Sequence, residues 1–312
     1  MRKRRSIEIP PVREAVHLYL AQRAGQAISP KTLRFEECTL IPLVKAFGNQ
    51  LVTEITKADL EAFVQERREA GNSVNTIKHI LVVARRWFIY LIEQGLAKDN
   101  PAARVPLPRA EQKPIQPMTP EQVQRLLDTF DTTRFSGVRN RVVTMLLYDT
   151  GLRVGEALGI RLVDMELASR RIHVIGKGRR PRTVYISETM TATLRTYLQR
   201  RGNLEGNPWL FADEYGQGEL EYSSYQHALY RANKVAKIEG VRVSAHSLRH
   251  SFAREWTVAG GDVASLSAQL GHSTLEMTTR YVHLLGDDRA AIQQRVSPLE
   301  RLGGATTKKK RL

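Results

Sequence analysis

Cysteine is almost absent from the 312-residue chain, which contains only Cys38. A single thiol excludes an internal disulfide framework, a zinc site built on cysteine ligands and a CxxC redox motif. Such sparse use of cysteine is typical of proteins that work in a reducing compartment. We therefore predict a cytoplasmic protein.

Long apolar runs are also missing. No uninterrupted apolar stretch approaches the roughly 18–20 residues that a membrane-spanning helix needs. The N-terminal segment MRKRRSIEIPP is basic, but no apolar run follows it, so it does not match a secretory signal. The sequence therefore predicts a soluble protein with no membrane partner.

Acidic residues are scarce relative to basic ones, with 32 Asp and Glu against 48 Lys and Arg. The net charge of +16 favours a polyanionic partner, with nucleic acid as the first choice and an anionic membrane surface as the second. A basic protein without such a partner is the remaining alternative.

The apolar pattern divides the chain into two parts. The first part is helical up to about residue 95, and its clearest helix is SVNTIKHILVVARRWFIYLIEQG. A proline-rich segment follows, AKDNPAARVPLPRAEQKPIQPMTPEQ, whose lack of apolar periodicity predicts a semi-rigid linker. Thr119-Pro120 then starts a helix, and the second part also contains RIHVIGKGRRPRTVYI, a predicted β-hairpin.

Basic side chains occur on both parts of the chain. In the first part, Lys78, Arg85 and Arg86 lie on the polar faces of the clearest helix, where a solvated face explains them as well as a DNA contact does. In the second part, Lys177 lies between two glycines at the hairpin turn. The arginines beyond this turn are Arg179, Arg180 and Arg182. Basic hairpin tips are common, so the pattern alone is a weak indication of DNA binding.

The segment YDTGLRVGEALGI places Arg153 at a predicted helix start, with Glu156 three residues later. Helix N-termini attract anions through their free N–H groups, and an arginine there strengthens such a site. An ordinary surface ion pair between Arg153 and Glu156 explains the same pattern.

The segment AHSLRHSF places His246, Arg249 and His250 on one side of a helix. A zinc ion beside a guanidinium group is electrostatically unfavourable, and no nearby Glu or Cys supplies a further ligand. An oxyanion is the better ligand, because arginine offers two parallel N–H donors and histidine a third. For His250 a buried structural role is preferred to a catalytic one.

The segment LGHSTLEMTTRYVHL places His272 just after a glycine and Tyr281 nine residues later. Taken alone, Tyr281 is best explained as a core aromatic residue. Beside two arginines, two histidines and a lysine, however, it is the one credible nucleophile. Cys38 lies in the other part of the chain, and no serine occupies a GxSxG-type turn.

The order and wording of these segments resemble the tyrosine recombinase, or phage integrase, family over most of residues 10–290. TGLRVGEAL is similar to its first arginine box, IGKGRRPR to its lysine hairpin, HSLRHSF to its His-x-x-Arg-His box, and LGHSTLEMTTRYVH to its nucleophile box. Each fragment alone is moderately specific. Four fragments in this order behind a helical domain are highly specific.

The resemblance implies a two-domain, mainly α fold. A helical core-binding domain of the SAM-like type is expected at 8–98, followed by a proline-rich linker at 99–117. An α+β catalytic domain with a small antiparallel β-sheet is expected at 118–290. The tail at 291–312 is expected to dock on a neighbouring protomer.

The resemblance also implies a set of catalytic residues. They are Arg153, Lys177, His246, Arg249, His272 and Tyr281. Tyr281 is expected to attack the scissile phosphate, forming a 3′-phosphotyrosyl link and releasing a 5′-hydroxyl. Arg153 and Arg249 would bind the non-bridging oxygens, where negative charge accumulates.

The other residues have supporting roles in the implied mechanism. His246 and His272 would hydrogen-bond to the same oxyanion, and Lys177 would protonate the departing 5′-oxygen. Glu156 and His250 would hold these groups in place without touching the phosphate. No metal ion, cofactor or ATP is expected, because two arginines can replace metal ions and the covalent link retains the phosphodiester energy.

The implied partner is double-stranded DNA with paired half-sites, on which four protomers assemble, so the protein is expected in the nucleoid. Few residues precede the helical domain, so the arm-binding domain of lambda-type integrases is expected to be absent. The sequences MTTRYVHL and SFAREWTVAGG differ from the TTQIYTH and SFATHLL of Xer proteins. This difference favours an integrase of a mobile element over a Xer-type dimer resolvase. The rivals are a type IB topoisomerase, which would relax supercoils without a defined sequence, and a non-catalytic DNA-binding protein of the same fold.

Overall fold

The computed structural model describes residues 8–109, 116–176, 180–202, 204, 206–213, 215–272, 274–283, 293 and 297. At 280–283 only the backbone is described. The chain divides into two compact units, Met1–Lys113 and Pro114–Leu312. No helix in these described ranges has both the length and the apolar character needed to cross a membrane.

The N-terminal unit is helical. Its helices are α1 Val12–Ala24, α2 Pro30–Phe47, α3 Lys57–Glu69, α4 Val74–Glu93 and α5 Pro101–Arg104. Ser29 caps α2 by accepting a hydrogen bond from the backbone N–H of Thr32, with proline in the first turn. Helix α4 lies at the centre, because it packs against each of the other four helices and buries Trp87 completely.

The segment expected to be a linker at 99–117 begins as part of this unit. Asn100 caps α5, and Ala102 and Val105 are buried in the N-terminal core. Arg85 of α4 donates to the carbonyl oxygens of Ala102 at 3.0 Å and Val105 at 2.6 Å. The residues just after α4 are therefore packed structure, and the proline-rich composition alone did not indicate this.

A buried carboxylate joins three helices of the N-terminal unit. Glu36 of α2 has no exposed side-chain surface and accepts hydrogen bonds from Tyr19 of α1 and from both Nε and Nη2 of Arg23, each at 2.9 Å. Arg86 of α4 forms an ion pair with the same carboxylate. Burial raises the pKa of Glu36, but the hydrogen bonds from Arg23 and Tyr19 outweigh it and hold the pKa below its usual value of 4.5.

We expect Glu36→Gln to destabilise the N-terminal unit by about 3 kcal/mol, the scale for breaking a buried ion pair. Because the folded-state pKa is lowered, the contribution of Glu36 is present above pH 4.5 and is lost as the pH falls through the folded-state pKa. Amide hydrogen exchange in α2 and α4 measures the loss, with the C-terminal unit as an internal reference. The exposed neighbour is the control: Glu37→Gln should leave exchange unchanged. Equal exchange in both variants would contradict a stabilising role.

The C-terminal unit combines helices with one small sheet. Its helices are α6 Pro120–Asp128, α7 Phe135–Thr150, α8 Val154–Leu158, α9 Glu188–Arg201, α10 Tyr222–Ala236, α11 Ala245–Val258, α12 Val263–Leu270 and α13 Glu276–His283. Its strands are β1 Met165–Glu166, β2 Arg171–Ile175 and β3 Pro181–Tyr185. The strands form an antiparallel sheet in the order β1-β2-β3, in which Ile172 pairs with Val184. The predicted hairpin and the predicted start of α6 at Thr119-Pro120 are both confirmed.

Helix α7 forms the centre of this unit and ends at the candidate site. It packs against α9 and α11, and Leu146 and Leu147 are fully buried in the core. Helix α13 packs against both α11 and α12. The C-terminal ends of α7 and α12, the short helix α8 and one face of α11 are thereby brought together.

Candidate active site

The turn between α7 and α8 presents Arg153. Helix α7 ends at Thr150, and Gly151 follows in the left-handed region with φ 64°. A Cβ at this position would lie 2.4 Å from Phe252 and 2.6 Å from Leu270, so both the conformation and the space require glycine. Two residues later, Arg153 is the N-cap of α8, with 36% of its side chain exposed.

Glu156 receives hydrogen bonds from two arginines. Arg153 donates its backbone N–H to Oε2 at 2.9 Å and its Nη1 to Oε1 at 3.0 Å. Arg182 of β3 adds a bidentate pair, at 2.9 Å to Oε1 and 2.8 Å to Oε2. Burial raises the pKa of Glu156, but the hydrogen bonds from Arg182 and Arg153 outweigh it and hold the pKa below its usual range. Glu156 is therefore ionised at neutral pH.

Arg249 converges with Arg153 on the end of α12. Its side chain is buried, with 3% of the residue exposed. It donates from Nη1 to the carbonyl oxygen of Gly151 at 2.6 Å and from Nη2 to that of Leu270 at 2.9 Å. Nη2 of Arg153 lies 3.4 Å from the carbonyl oxygen of Gly271. Two guanidinium groups from distant segments thus meet at one turn.

The two histidines of α11 share a face, as the sequence predicts. Their rings lie 4.2 Å apart in an edge-to-face arrangement, with His246 exposed and His250 only 1% exposed. Ser244 caps the helix and fixes where His246 stands in its first turn. Among the described residues, no group of three or more His, Cys, Asp or Glu side chains is arranged to hold a metal ion.

His272 follows directly on the turn that the two arginines contact. Gly271 ends α12 in the left-handed region with φ 65°. Nδ1 of His272 lies 2.7 Å from Oγ1 of Thr278, a fully buried residue of α13. This contact fixes the imidazole orientation from the helix whose backbone includes Tyr281.

Three predicted positions fall where the structure gives no side-chain description. Lys177 and Arg179 lie outside the described residues, and the side chain of Tyr281 is likewise not described. Their chemical roles therefore stay predictions from the sequence.

The predicted DNA-binding arginines differ in their surroundings. Arg85 donates hydrogen bonds to two backbone carbonyl oxygens of the N-terminal unit. Arg182 donates to the carboxylate of Glu156. Both residues make internal contacts, and DNA binding by them stays a prediction. Arg86 is about half exposed beside its ion pair, and Lys78 and Arg180 are exposed, so DNA binding by these three stays a prediction.

The part that Arg182 plays in the site was missed by sequence reasoning. A signal was present, because residues two apart on a strand share a face and Val184 is fully buried. Gln269 was also missed: its side-chain amide donates to the carbonyl oxygen of Tyr185 at 2.9 Å and accepts from its N–H at 3.3 Å. Gln269 thereby joins α12 to β3.

We expect Gly271→Ala to lower the stability of the C-terminal unit. A Cβ here would lie 2.7–2.8 Å from the guanidinium of Arg182, in addition to the backbone strain of a positive φ, for a total of about 1–3 kcal/mol. Gly240→Ala is the matched control, since Gly240 has φ 76° with no atom within 4 Å of the added carbon. Urea denaturation should show a larger loss for Gly271→Ala. Equal losses would mean that crowding of Arg182 contributes nothing.

Comparison with known proteins gives matches over most of the chain. The phage integrase family matches residues 116–287. Tyrosine recombinase XerC of Actinobacillus pleuropneumoniae serotype 7 (strain AP76) is 32% identical over 232 residues, which cover 74% of this chain and 75% of the relative. A lambda integrase tetramer bound to a Holliday junction has a TM-score of 0.74 at 16% identity, covering 88% of this chain and 78% of that one. The Tn1549 transposon integrase with a circular intermediate DNA has a TM-score of 0.69 at 20% identity, covering 86% and 94%.

The helices around a three-stranded antiparallel sheet have the fold of a tyrosine recombinase catalytic domain. The family match and the identity with XerC show that the chain belongs to the phage integrase family of tyrosine recombinases. Enzymes of this family cleave and rejoin DNA through a tyrosine intermediate.

Proposed function

We propose that this protein is a site-specific DNA recombinase in which Tyr281 is the nucleophile and Arg153 and Arg249 bind the scissile phosphate. The observation that carries the proposal is the convergence of the two arginines on the turn at Leu270 and Gly271, directly before His272. Since the guanidinium groups are already held by carbonyl oxygens, the positive charge is in place before DNA binds.

The proposed reaction proceeds by transfer of the phosphodiester to the enzyme. The Tyr281 oxygen attacks phosphorus and forms the P–O bond of a 3′-phosphotyrosine, while the bond to the 5′-oxygen breaks. His246 accepts the proton of Tyr281, and Lys177 donates one to the departing oxygen, which leaves as a hydroxyl. Attack by the 5′-hydroxyl of another strand reverses these steps and restores the tyrosine.

A tyrosine with its usual pKa near 10 is a weak nucleophile at neutral pH. Nearby cationic groups favour the phenolate and also stabilise the charge that develops on the phosphate oxygens. His272 is suited to this second role, because its contact with Thr278 orients the imidazole. Glu156 and His250 are proposed to support Arg153 and His246 without touching the phosphate.

The assembly and location of the protein are proposals that rest on its relatives. We propose that four protomers bind two paired DNA sites, as the lambda integrase tetramer binds a Holliday junction, with the 291–312 tail docking on a neighbour. The net charge of +16 suits a protein of the nucleoid. We also propose a core-binding domain at 8–98, a linker at 99–117 and a catalytic domain at 118–290.

For the biological role we propose integration and excision of a mobile element, on the motif wording MTTRYVHL and SFAREWTVAGG. A second candidate is chromosome or plasmid dimer resolution, which the identity with XerC favours. The two roles differ in the DNA that is cut: the ends of an element in one case, and a single fixed locus on the replicon in the other.

The proposal is tested by capturing the covalent intermediate. The protein is expressed in cells that carry the DNA flanking its own gene, the cells are lysed in SDS, and the DNA attached to protein is sequenced. Mass spectrometry of the nuclease-treated protein should find the nucleotide on the peptide that contains Tyr281. Attachment at another residue would remove Tyr281 as the nucleophile. An absence of attached DNA, also on a nicked substrate that traps the intermediate, would favour a non-catalytic DNA-binding protein.

A further inference from the structure

We propose that Arg182 is a positioning residue for the recombination reaction: by binding Glu156, it keeps the charge of Arg153 available to the scissile phosphate. This inference rests on the proposed function. It assigns a role to a basic residue of the hairpin whose side chain is only 15% exposed and is paired with Glu156.

The geometry is that of one carboxylate between two guanidinium groups. Arg182 approaches Glu156 with two parallel N–H bonds, the strongest arrangement for this pair. Arg153 uses its backbone N–H and a single side-chain nitrogen on the same carboxylate. Arg182 is thus the more complete partner of Glu156.

The charges of this cluster do not cancel. One carboxylate faces two arginines, so a positive charge is left over. The exposed fraction of the side chain is 36% for Arg153, 15% for Arg182 and 6% for Glu156. The excess charge is therefore presented by Arg153, the member that is open to a ligand.

Loss of Arg182 would change what Arg153 does. A buried carboxylate that loses a partner recruits the remaining cation, because an unpaired charge is costly away from water. Glu156 would then take up more of the Arg153 guanidinium, and the pair would be neutral. The phosphate would meet a weaker electrostatic site although Arg153 itself is unchanged.

Arg182 also touches the turn that precedes His272. Its guanidinium lies against Gly271, and its Nε is 3.4 Å from the carbonyl oxygen of Gln269. Gln269 holds the same two elements together through its own contacts with Tyr185. Gln269→Leu therefore loosens β3 from α12 without touching Glu156, which makes it the matched control.

The test compares two DNA substrates, both nicked to trap the covalent product and both built on the site recovered by SDS capture. One carries a normal scissile phosphodiester. The other carries a methylphosphonate, in which a methyl group replaces a non-bridging oxygen and removes the negative charge. A cationic clamp matters less for the neutral substrate, so the ratio of the two cleavage rates reports on the charge that the enzyme offers.

We expect Arg182→Gln to slow cleavage of the phosphodiester by about 10–100-fold, the scale for a lost charge-assisted contact. The same variant should also cleave the methylphosphonate more slowly, but the fold-loss in rate should be smaller than that on the phosphodiester by a factor of about five or more. A loss of folded protein lowers both rates equally and leaves the ratio unchanged. Gln269→Leu should also leave the ratio unchanged.

A second variant tests the route through Glu156. Contacting residues are coupled, so the double variant Arg182→Gln with Glu156→Gln should cleave the phosphodiester faster than Arg182→Gln alone, because no carboxylate is left to capture Arg153. If Arg182→Gln does not fold, Arg182→Lys decides instead. Lysine keeps the positive charge but lacks the planar pair of N–H donors of a guanidinium group. The ratio of the two cleavage rates should therefore shift in the same direction by a smaller factor.

The outcomes separate this inference from the proposed function. A wild-type protein that forms no covalent product on the phosphodiester overturns the proposed function. If the wild type cleaves and the Arg182 variants change both rates by one factor, or neither, Arg182 has no positioning role. A shifted ratio together with recovery in the double variant supports the role assigned here.

Discussion

Tyr281→Phe is expected to lower the rate of strand cleavage by at least about 10⁴-fold, on the scale of an enzyme that loses its nucleophile. Phenylalanine keeps the aromatic ring and lacks only the hydroxyl, so the backbone of α13 and its packing against α11 and α12 should be preserved. The variant should therefore bind DNA as the wild type does. Gel shift and a nicked suicide substrate measure binding and cleavage on the same DNA.

A tyrosine elsewhere in the same unit provides the control. Tyr215 is 84% exposed, and Tyr215→Phe removes a phenol hydroxyl without affecting the site. Full cleavage by Tyr215→Phe and none by Tyr281→Phe would locate the reacting hydroxyl. Substantial cleavage by Tyr281→Phe would move the nucleophile to another residue and leave the arginine cluster as a binding site for phosphate.

Arg249→Lys is expected to lower cleavage by about 10²–10³-fold, the scale for removing one donor to a developing oxyanion. The charge is kept, but the planar fork is lost. In the structure the two terminal nitrogens of Arg249 reach carbonyl oxygens on different helix ends, at Gly151 and Leu270. A single ammonium cannot span both acceptors and also present a donor to the phosphate.

The same substitution at a buried arginine outside the site controls for stability. Arg201 is 4% exposed and donates to the carbonyl oxygens of Asn207 and Trp209, both at 2.8 Å. Arg201→Lys should lose stability to a similar extent in thermal denaturation and yet cleave DNA normally. Near-normal cleavage by Arg249→Lys would count against phosphate binding by this residue.

Much of the fold was predictable because local signals agree with it. Serine or threonine before a proline marks the starts of α2 and α6, and alternating residues around a glycine-rich turn mark β2 and β3. The candidate catalytic residues were proposed by resemblance, since each segment taken alone allowed an ordinary structural explanation. What the structure adds is that Arg153 and Arg249 meet at the end of α12, and no spacing in the sequence reveals that.

The contacts that the sequence did not reveal belong to charged side chains whose partners are distant in the sequence. Arg85 and Arg182 had the composition of solvent-facing or DNA-facing residues, yet each finds acceptors on another element. In the proline-rich segment after α4, the sequence did not indicate that Ala102 and Val105 are buried, because so short a segment shows no apolar periodicity. A pattern of residues reports which face is apolar, but it does not report which buried acceptor an arginine can reach.

Gly151, in the TGLR turn, affects which sequence features can be used to recognise active members of this family. Gly151 is fixed by its left-handed backbone and by the rings and methyls packed against it, and its carbonyl also holds Arg249. These demands come from folding and would persist in a descendant that had lost Tyr281 and no longer cut DNA. Retention of Gly151 is therefore evidence of architecture, and activity has to be judged from the nucleophile and the two arginines.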